Sequence, residues 1–439
     1  MVAKRILVLF AKDWDRVELD HPRHRQQYHF EYEGFDLFRF PENARLLTFD
    51  VRRVIDRLVR RYRGRIDGVI SNNEHFGALI AAVVAQRLGL PGGDPAVIIA
   101  AQHKYYARCL QSRIVPDAVP HYEVLPYTRD AVRAPQLGFP CFVKPVKATY
   151  SVLARRVDSL EQLQKLLDFS PLERLILGRL VRPFDDLMPL FTSFDIGARA
   201  MIAEELLEGV QVNIDGFVRN GRVTVLGIVD EVMYPGTQAF MRFEYPSRLP
   251  VSVQKRMAVL TEKLIVGMNY RHGFFNVELI YDAASDAIRV IEVNPRMATQ
   301  IVNLYRRVDG CDPYGMLLDL AVGTMPEAVR CAGEFRAAAS FVFRRFDGRA
   351  PDRVPSVEQI ATMHRRYPDA RLMLYLKRGA GLAREMKWLG SHRYAVLNIG
   401  GQNTDDLQRR YEMIRSELAL DAGSAPISAG GMMESGAST

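Results

Sequence analysis

The sequence predicts a mixed protein, α/β at its N-terminus and α+β beyond it. Three observations carry this. Lys4 to Phe10, KRILVLF, is a short continuous apolar run suited to a buried parallel strand, and it opens an alternation of strand-like and helix-like stretches. Within Phe274 to Gln300, NVELIY and IRVIEVN alternate apolar with polar residues around an Asp/Ala/Ser loop, the pattern of a hairpin. Between Phe335 and Leu418, SFVFRRF, RLMLYLK and RYAVLNIGG precede the helical DDLQRRYEMIRSEL, which predicts a small α+β unit.

After the first strand, Ala11 to Asn43 is aromatic and charged without clear periodicity. Its His21, His24 and His29 are irregularly spaced with no cysteine nearby, which favours packing or surface roles over metal binding. In the basic run Arg52 to Arg65, Val51, Val54, Ile55, Leu58, Val59 and Tyr62 recur at helical spacing, so the arginines take the solvated face. Ile66 to Ser71 reads as a second strand, Gly77 to Leu88 as a small-residue helix stopped by Gly89, and Ala96 to Leu110 as a further helix carrying Lys104. This is the alternation of a doubly wound parallel sheet. Asn72, Asn73 and Glu74 lie where strand gives way to helix, a place for ligand contacts or for a helix cap.

Phe139 to Pro145 puts Lys144 at the end of an apolar strand, where burying its stem is costly unless the ammonium meets an anion. Leu160 to Leu167 predicts a leucine-rich helix, and residues 179 to 189 read as an Arg/Asp/Pro-rich linker. Met201 to Gly221 is an apolar strand, an acidic bend and an alternating strand closing on Asn220-Gly221, a strong two-residue hairpin signal. Val223 to Val229 continues that sheet. Asp230 to Leu249 reads as a Tyr/Pro/Arg-rich loop whose Arg242 and Arg248 suit an anionic substrate. Val251 to Met268 is a helix leading to the hairpin, with His272 a turn residue. Arg344 and Arg345 read as exposed strand arginines, and Asp421 to Thr439 is expected to be disordered.

A turn centred near Ser285 sets Glu278 opposite Glu292. Asn276 then shares a face with Glu278, and Glu292 with Asn294 and, if the strand continues, Arg296. Two carboxylates in otherwise apolar strands repel each other and lose hydration unless a cation lies between them. Hard oxygen ligands point to magnesium, with manganese as the alternative ion. A magnesium held by few carboxylates completes its shell with phosphates and water, so the implied ligand is a nucleoside triphosphate.

Glu278, Glu292, Asn294, Pro295 and Arg296, together with FVKP at 142–145 and EELLEG at 204–209, resemble the ATP-grasp superfamily, especially its carboxylate-amine ligases; biotin carboxylase is similar in the ATP-binding core. The resemblance implies an N-terminal pre-ATP-grasp domain over 1–112, a linker and mobile lid over 113–205, an antiparallel core over 206–334 and a small α+β unit over 335–420, ahead of a tail at 421–439. It assigns Glu278, Glu292 and Asn294 to magnesium on ATP, and Arg296 to the transferred phosphate or acyl phosphate. It assigns Lys104 and Lys144 to the nucleotide, the backbone of Glu205 and Leu207 to adenine with Glu204 flanking it, and Gln211 to the ribose. The lid loop, Lys147 to Val157, lacks the glycines usual in the family, which leaves Lys147, Thr149 and Ser151 as donors. Gln300, Arg242 and Arg248 are the substrate candidates.

The activity implied is ATP-dependent joining of a small-molecule carboxylate to an amine through an acyl phosphate. A biotin-dependent carboxylase component is disfavoured because the run used for bicarbonate activation is missing after the hairpin. A phosphotransferase and a non-catalytic nucleotide-binding module remain as alternatives. Homodimers are common in the resembling families. The net charge of +8, from 59 basic and 51 acidic side chains spread along 439 residues, implies no nucleic-acid partner. Four widely separated cysteines make neither a zinc nor a disulfide framework and fit the cytoplasm. No secretory leader and no membrane-spanning apolar run is expected.

Overall fold

The N-terminal apolar run forms β1, Lys4–Leu9, which pairs in parallel with β2, Tyr28–Glu33, on one side and β3, Gly68–Ile70, on the other. In this computed structural model, residues 3–37, 39, 41–148 and 152–421 are described. They divide into two units, one of Met1–Asp230 with Tyr245–Arg336 and one of Glu231–Glu244 with Ala337–Thr439. The strand β2 falls in a stretch expected to lack periodicity. Its YHFEYE does alternate: Tyr28 and Phe30 are buried while His29 is exposed.

Helices Val51–Tyr62 and Gly77–Leu88 follow the expected apolar spacing, and Gly89 ends the second in the left-handed conformation at φ 69°. The single helix expected over Ala96 to Leu110 is instead two, Pro95–Gln102 and Lys104–Ile114, broken at His103. The break puts Lys104 at the first turn of the second helix, where its backbone N–H, free of a helical partner, donates to Val146 O at 2.8 Å.

A second sheet of the first unit holds β4, Tyr122–Pro126, β5, Cys141–Pro145, β6, Arg155–Val157, and β7, Ala200–Glu204, in the order β4-β7-β5-β6 with antiparallel pairing throughout. The linker expected at 179–189 is helical, part of Pro171–Phe191, which runs through Pro183 and Pro189. Each interior proline costs about 3 kcal/mol. Burial of Leu177, Phe184, Leu187 and Met188 on one side, with a Ser170–Glu173 capping box at the start, outweighs that cost.

The third sheet of this unit runs β12-β11-β8-β9, with β8 at Val210–Arg219, β9 at Arg222–Met233, β11 at His272–Asp282 and β12 at Ala287–Asn294. Asn220 and Gly221, at φ 52° and 80°, make the two-residue turn between β8 and β9. Val212, Ile214, Phe275, Val277, Val290 and Val293 bury one side of this sheet in a core shared with Leu7, Leu79 and Ile99.

The second unit contains β10 (Phe240–Tyr245, all but its last residue), β13, Ala337–Arg345, β14, Arg371–Leu374, and β15, His392–Gly401, in the order β10-β13-β15-β14. Helix Thr404–Glu417 closes its core through Leu407 and Ile414 against Phe341, Tyr394 and Leu397. The loop expected over Asp230 to Leu249 is therefore partly strand. FMRFEY has the strand alternation that its Tyr/Pro/Arg surroundings obscured. Arg344 and Arg345 are not the exposed arginines expected. Arg344 reaches Ser391 Oγ at 2.9 Å and Arg345 pairs with Asp347, Asp352 and Asp421. Among the described residues no helix is long and apolar enough to cross a membrane.

Candidate active site

The hairpin of β11 and β12 pairs Asn276 with Asn294 and Glu278 with Glu292, as the alternation implied. The turn sits half a residue earlier than Ser285, because beyond the acids Leu279 faces Val290 and Asp282 faces Ala287. A bulge at Ile291 absorbs the difference. Continued through this point, the turn-side register would set Glu278 against Ile291 and turn Glu292 to the apolar face. The bulge thus puts the two carboxylates on one face. The strand does not continue to Arg296: Pro295 has no N–H to offer a ladder, and the chain turns there with Arg296 N bonded to Asn294 O at 2.8 Å.

Burial, then the neighbouring Glu292 and Glu74, push the Glu278 carboxyl up to about 7. The Asn294 amide nitrogen donates to Glu278 Oε1 at 3.1 Å and to Asn276 Oδ1 at 3.2 Å, so its own oxygen is the atom left for an outside cation. Asn276 in turn donates to Asn213 Oδ1 at 2.7 Å and Asp215 Oδ1 at 3.1 Å. Asp215 is fully buried, accepts from Tyr305 Oη at 2.7 Å and is pushed by burial up to about 6. Two carboxylates and an oriented amide oxygen form a hard donor set whose repulsion nearby cations only partly offset, which fits a divalent ion such as magnesium. They are too few to enclose one. Among the described residues no group of three or more His, Cys, Asp or Glu side chains is arranged to do so.

Lysines crowd the same face. Lys104 Nζ lies 2.7 Å from Glu292 Oε1 and 3.1 Å from Ala148 O. Burial opposes its charge, but Glu292, backed by Glu74 and Glu278, raises the Lys104 pKa overall. Lys144, at the end of β5, is buried with Nζ 2.8 Å from Glu204 Oε2. There burial wins over Glu204 and the lysine pKa is lowered. Glu204 also takes Arg108 bidentately, Nε to Oε1 at 2.8 Å and an Nη to Oε2 at 3.1 Å, and these cations hold its carboxyl near 2 against the effect of burial. Lys147 Nζ donates to Glu74 O at 3.2 Å and Gln102 Oε1 at 3.0 Å, and burial with Lys104 nearby lowers it to about 7.

An Arg296 Nη meets Glu74 Oε2 at 2.6 Å, both side chains 12% exposed. Asn73 proves to be the cap, its Oδ1 accepting from Phe76 and Gly77, while Asn72 donates to Asp15 at 2.8 Å. Of the three residues read as cap or ligand contact, Glu74 is the one turned toward the acid pair's neighbours.

The remaining candidates are more dispersed. The Glu205 N–H is already committed to His121 O at 3.0 Å, leaving its carbonyl, and Leu207 is half-buried in the bend behind it. Gly209 is fixed there by necessity, since at φ 127° a Cβ would stand 2.1 Å from Tyr281 O. Gln211, half-buried on β8, pairs with Ile280. Ser151 and Thr149 lie outside the described residues. Arg248 is exposed, with its backbone N–H on Asp230 Oδ2 at 2.8 Å. Arg242 belongs to the second unit, where it pairs with Glu244 at 2.5 Å. Gln300 is half-buried just past the Arg296 turn. The histidines hold no shared centre: His21 caps helix Pro22–Arg25, His24 is buried 3.4 Å from Asp312, and His29 is exposed.

Arg108 was missed. Its signal was its place four residues after Lys104 on one helix, which puts both side chains on one face. Residues 137–303 match the model of the ATP-grasp domain family. Over that stretch the chain is similar to an ATP-grasp domain. Solved structures with the ATP-grasp fold superpose over nearly the whole chain. An L-amino acid ligase from Bacillus licheniformis matches with a TM-score of 0.69 at 16% identity, covering 94% of this chain and 97% of its own. An N5-carboxyaminoimidazole synthase from Aspergillus clavatus, in complex with ADP and 5-aminoimidazole ribonucleotide, gives 0.63 at 13%, covering 95% and 99%. A biotin carboxylase from Campylobacter jejuni gives 0.59 at 13%, covering 95% and 92%. No curated protein matches by sequence. At these identities the likeness is one of fold, and the ATP-grasp fold agrees with the parallel and antiparallel sheets described above.

Proposed function

We propose that this protein is an ATP-dependent carboxylate-amine ligase of the cytoplasm, acting on two small molecules. The observation that carries the reading is the facing pair Glu278 and Glu292, with Glu278 left unrelieved beside Asn294 and an assembly of Lys104, Lys144 and Arg296 around it. Magnesium or manganese, when bound, would neutralise charge on the β- and γ-phosphates. Glu278, Glu292 and the Asn294 oxygen would hold it. Lys144 and Lys104 would orient the phosphates, Lys104 exchanging Glu292 for phosphate as the ion arrives. The backbone of Glu205 and Leu207 would receive adenine, and Gln211 the ribose.

The cavity lined by Lys104, Arg108, Lys144, Glu204 and Glu292 has a volume of about 10 Å³. That is room for about one water molecule. For phosphate to reach Lys104 and Lys144, these lysines would have to turn from the carboxylates of Glu292 and Glu204 that now hold them. In the reaction a substrate carboxylate oxygen attacks the γ-phosphorus in line and ADP leaves. An amine then attacks the carbonyl carbon of the acyl phosphate, inorganic phosphate leaves, and the amine's proton passes to solvent. Arg296, steadied by Glu74, would stabilise the negative charge that builds on the transferring phosphoryl group and on the tetrahedral oxyanion.

The test is ADP release from ATP and magnesium against amino acids and small carboxylic acids, singly and in pairs. The expected outcome is turnover that needs an acid and an amine together and falls by about 10²- to 10³-fold in Glu292→Ala, the scale of losing an electrostatic anchor. Turnover with one phosphate acceptor alone would replace the ligase by a phosphotransferase. Stimulation by bicarbonate would favour a carboxylase.

A further inference from the structure

Arg108 touches both halves of this site and appears in neither half's expected roles. It is 2% exposed, and each of its five side-chain N–H groups has an acceptor. Two go to Glu204 at 2.8 and 3.1 Å, one to Gln111 Oε1 at 2.7 Å, one to Val290 O at 2.7 Å and one to Ile291 O at 3.0 Å. Ile291 is the bulged residue that directly precedes Glu292. A bulge interrupts the ladder, and a buried carbonyl at such a point needs a donor from elsewhere. Arg108 supplies it twice. Its other edge fixes the carboxylate that holds Lys144 Nζ at 2.8 Å.

We propose that Arg108 is a positioning residue that sets the metal-facing Glu292 and the nucleotide-facing Lys144 from a single guanidinium, and thereby couples ion binding to nucleotide binding. This rests on the reading that the acid pair takes the ion and Lys144 the phosphates. With Arg108 in place the Ile291 bulge is held, Glu292 stays on the face of Glu278, and Glu204 keeps Lys144 at the same cavity. Lysine cannot substitute, because one ammonium with three donors does not reach a bidentate carboxylate and two carbonyls at once.

The test uses the full chain and two binding measurements that need no turnover: Mn²⁺ without nucleotide, by electron paramagnetic resonance, and ADP without metal, by calorimetry. Each is then repeated with the other ligand saturating. The variants are Arg108→Lys, Arg108→Met, which leaves Glu204 and Lys144 as a neutral pair, and Glu204→Gln, which leaves the carbonyl bonds intact. Thermal melts establish which variants are folded. Both Arg108 variants are expected to bind Mn²⁺ at least tenfold more weakly and to lose the mutual enhancement between Mn²⁺ and ADP. Glu204→Gln is expected to weaken ADP about tenfold and leave Mn²⁺ within twofold. Should Arg108→Met not fold, Arg108→Lys carries the same expectation.

A folded Arg108 variant with wild-type Mn²⁺ affinity and wild-type coupling would overturn the role of Arg108 while leaving the ATP site standing. Wild-type protein that binds neither Mn²⁺ nor ADP, or whose Mn²⁺ binding survives Glu278→Ala, would remove the reading beneath it.

Discussion

Two charged clusters meet at one small cavity, and they are unbalanced in opposite senses. Around Glu204, one carboxylate faces two buried cations, Arg108 and Lys144. Around the hairpin, Glu278 and Glu292 face each other with Lys104 as the cation in direct contact. The pKa directions register the same asymmetry. Lys144 is lowered although a carboxylate touches it, and Glu278 is raised although Lys104 and Arg296 lie nearby. A self-contained ion network would settle its members toward their charged forms. Here the surplus cation suits phosphate and the surplus carboxylate suits a metal ion, so a magnesium nucleotide, which carries both signs, relieves both clusters at once.

Removing the surplus from the first cluster tests that most strongly. Lys144→Met leaves Glu204 bonded bidentately to Arg108, a neutral pair that needs no third member. Charge-assisted bonds to phosphate are worth about 1.5–3 kcal/mol, so ADP affinity should fall by about 10- to 100-fold while the melting temperature holds or rises. Calorimetry and a thermal melt check the two halves. A lower melting temperature with unchanged ADP affinity would mean that Lys144 is a structural partner of Glu204 and that the cluster is closed on itself.

The hairpin was legible in the sequence because a period of two survives any loop composition: NVELIY and IRVIEVN announce both strands, and the position of the turn fixes which acids face each other. The bulge at Ile291 was not legible, since no Gly or polar residue marks it; what stabilises it is Arg108, more than 180 positions earlier. Likewise Lys144 could be singled out by its apolar strand, whereas its tie to Glu204 depends on the pairing of β5 with β7. The helix through Pro183 and Pro189 shows the opposite failure. Local propensity argued for a linker, and burial of Phe184 and Leu187 overrode it. Glu74 was seen at a strand-to-helix junction but could not be told from a cap until Asn73 was found to do the capping and Glu74 to hold Arg296.

The second cluster can be read by pH. A metal ion needs Glu278 ionised, and with its carboxyl near 7 protons compete with the ion below that value. Mn²⁺ affinity, measured without nucleotide, should be flat above pH 7 and fall by up to about tenfold for each unit below it, with one proton released per ion bound near pH 6. Glu278→Gln should weaken the affinity and flatten the profile. A wild-type profile already flat from pH 5 to 8 would place the cost of the acid pair elsewhere and would weaken the contrast between the clusters.

The smallest effect is on stability, and its sign is the informative part. A carboxyl raised from 4.5 to about 7 on folding costs nothing below pH 4.5, where both states are protonated. The cost grows between pH 4.5 and 7 and is constant above, because only there must the folded state carry the unfavoured charge. Glu278→Gln removes that charge at similar volume. Since Glu278 is only half-buried, the gain at pH 8 without metal is on the order of 1–2 kcal/mol, which raises the melting temperature of a chain this long by about 1–2 °C. At pH 4.5 the two proteins should melt together. Adding Mn²⁺ at pH 8 should stabilise the wild type more than the variant, closing or reversing the gap, because the ion binds the ionised pair more tightly than a carboxylate and an amide. Were Glu278→Gln less stable than the wild type at pH 8 without metal, Lys104 and Arg296 would already be satisfying the acid pair, and the hairpin would resemble the Glu204 cluster in needing no ligand.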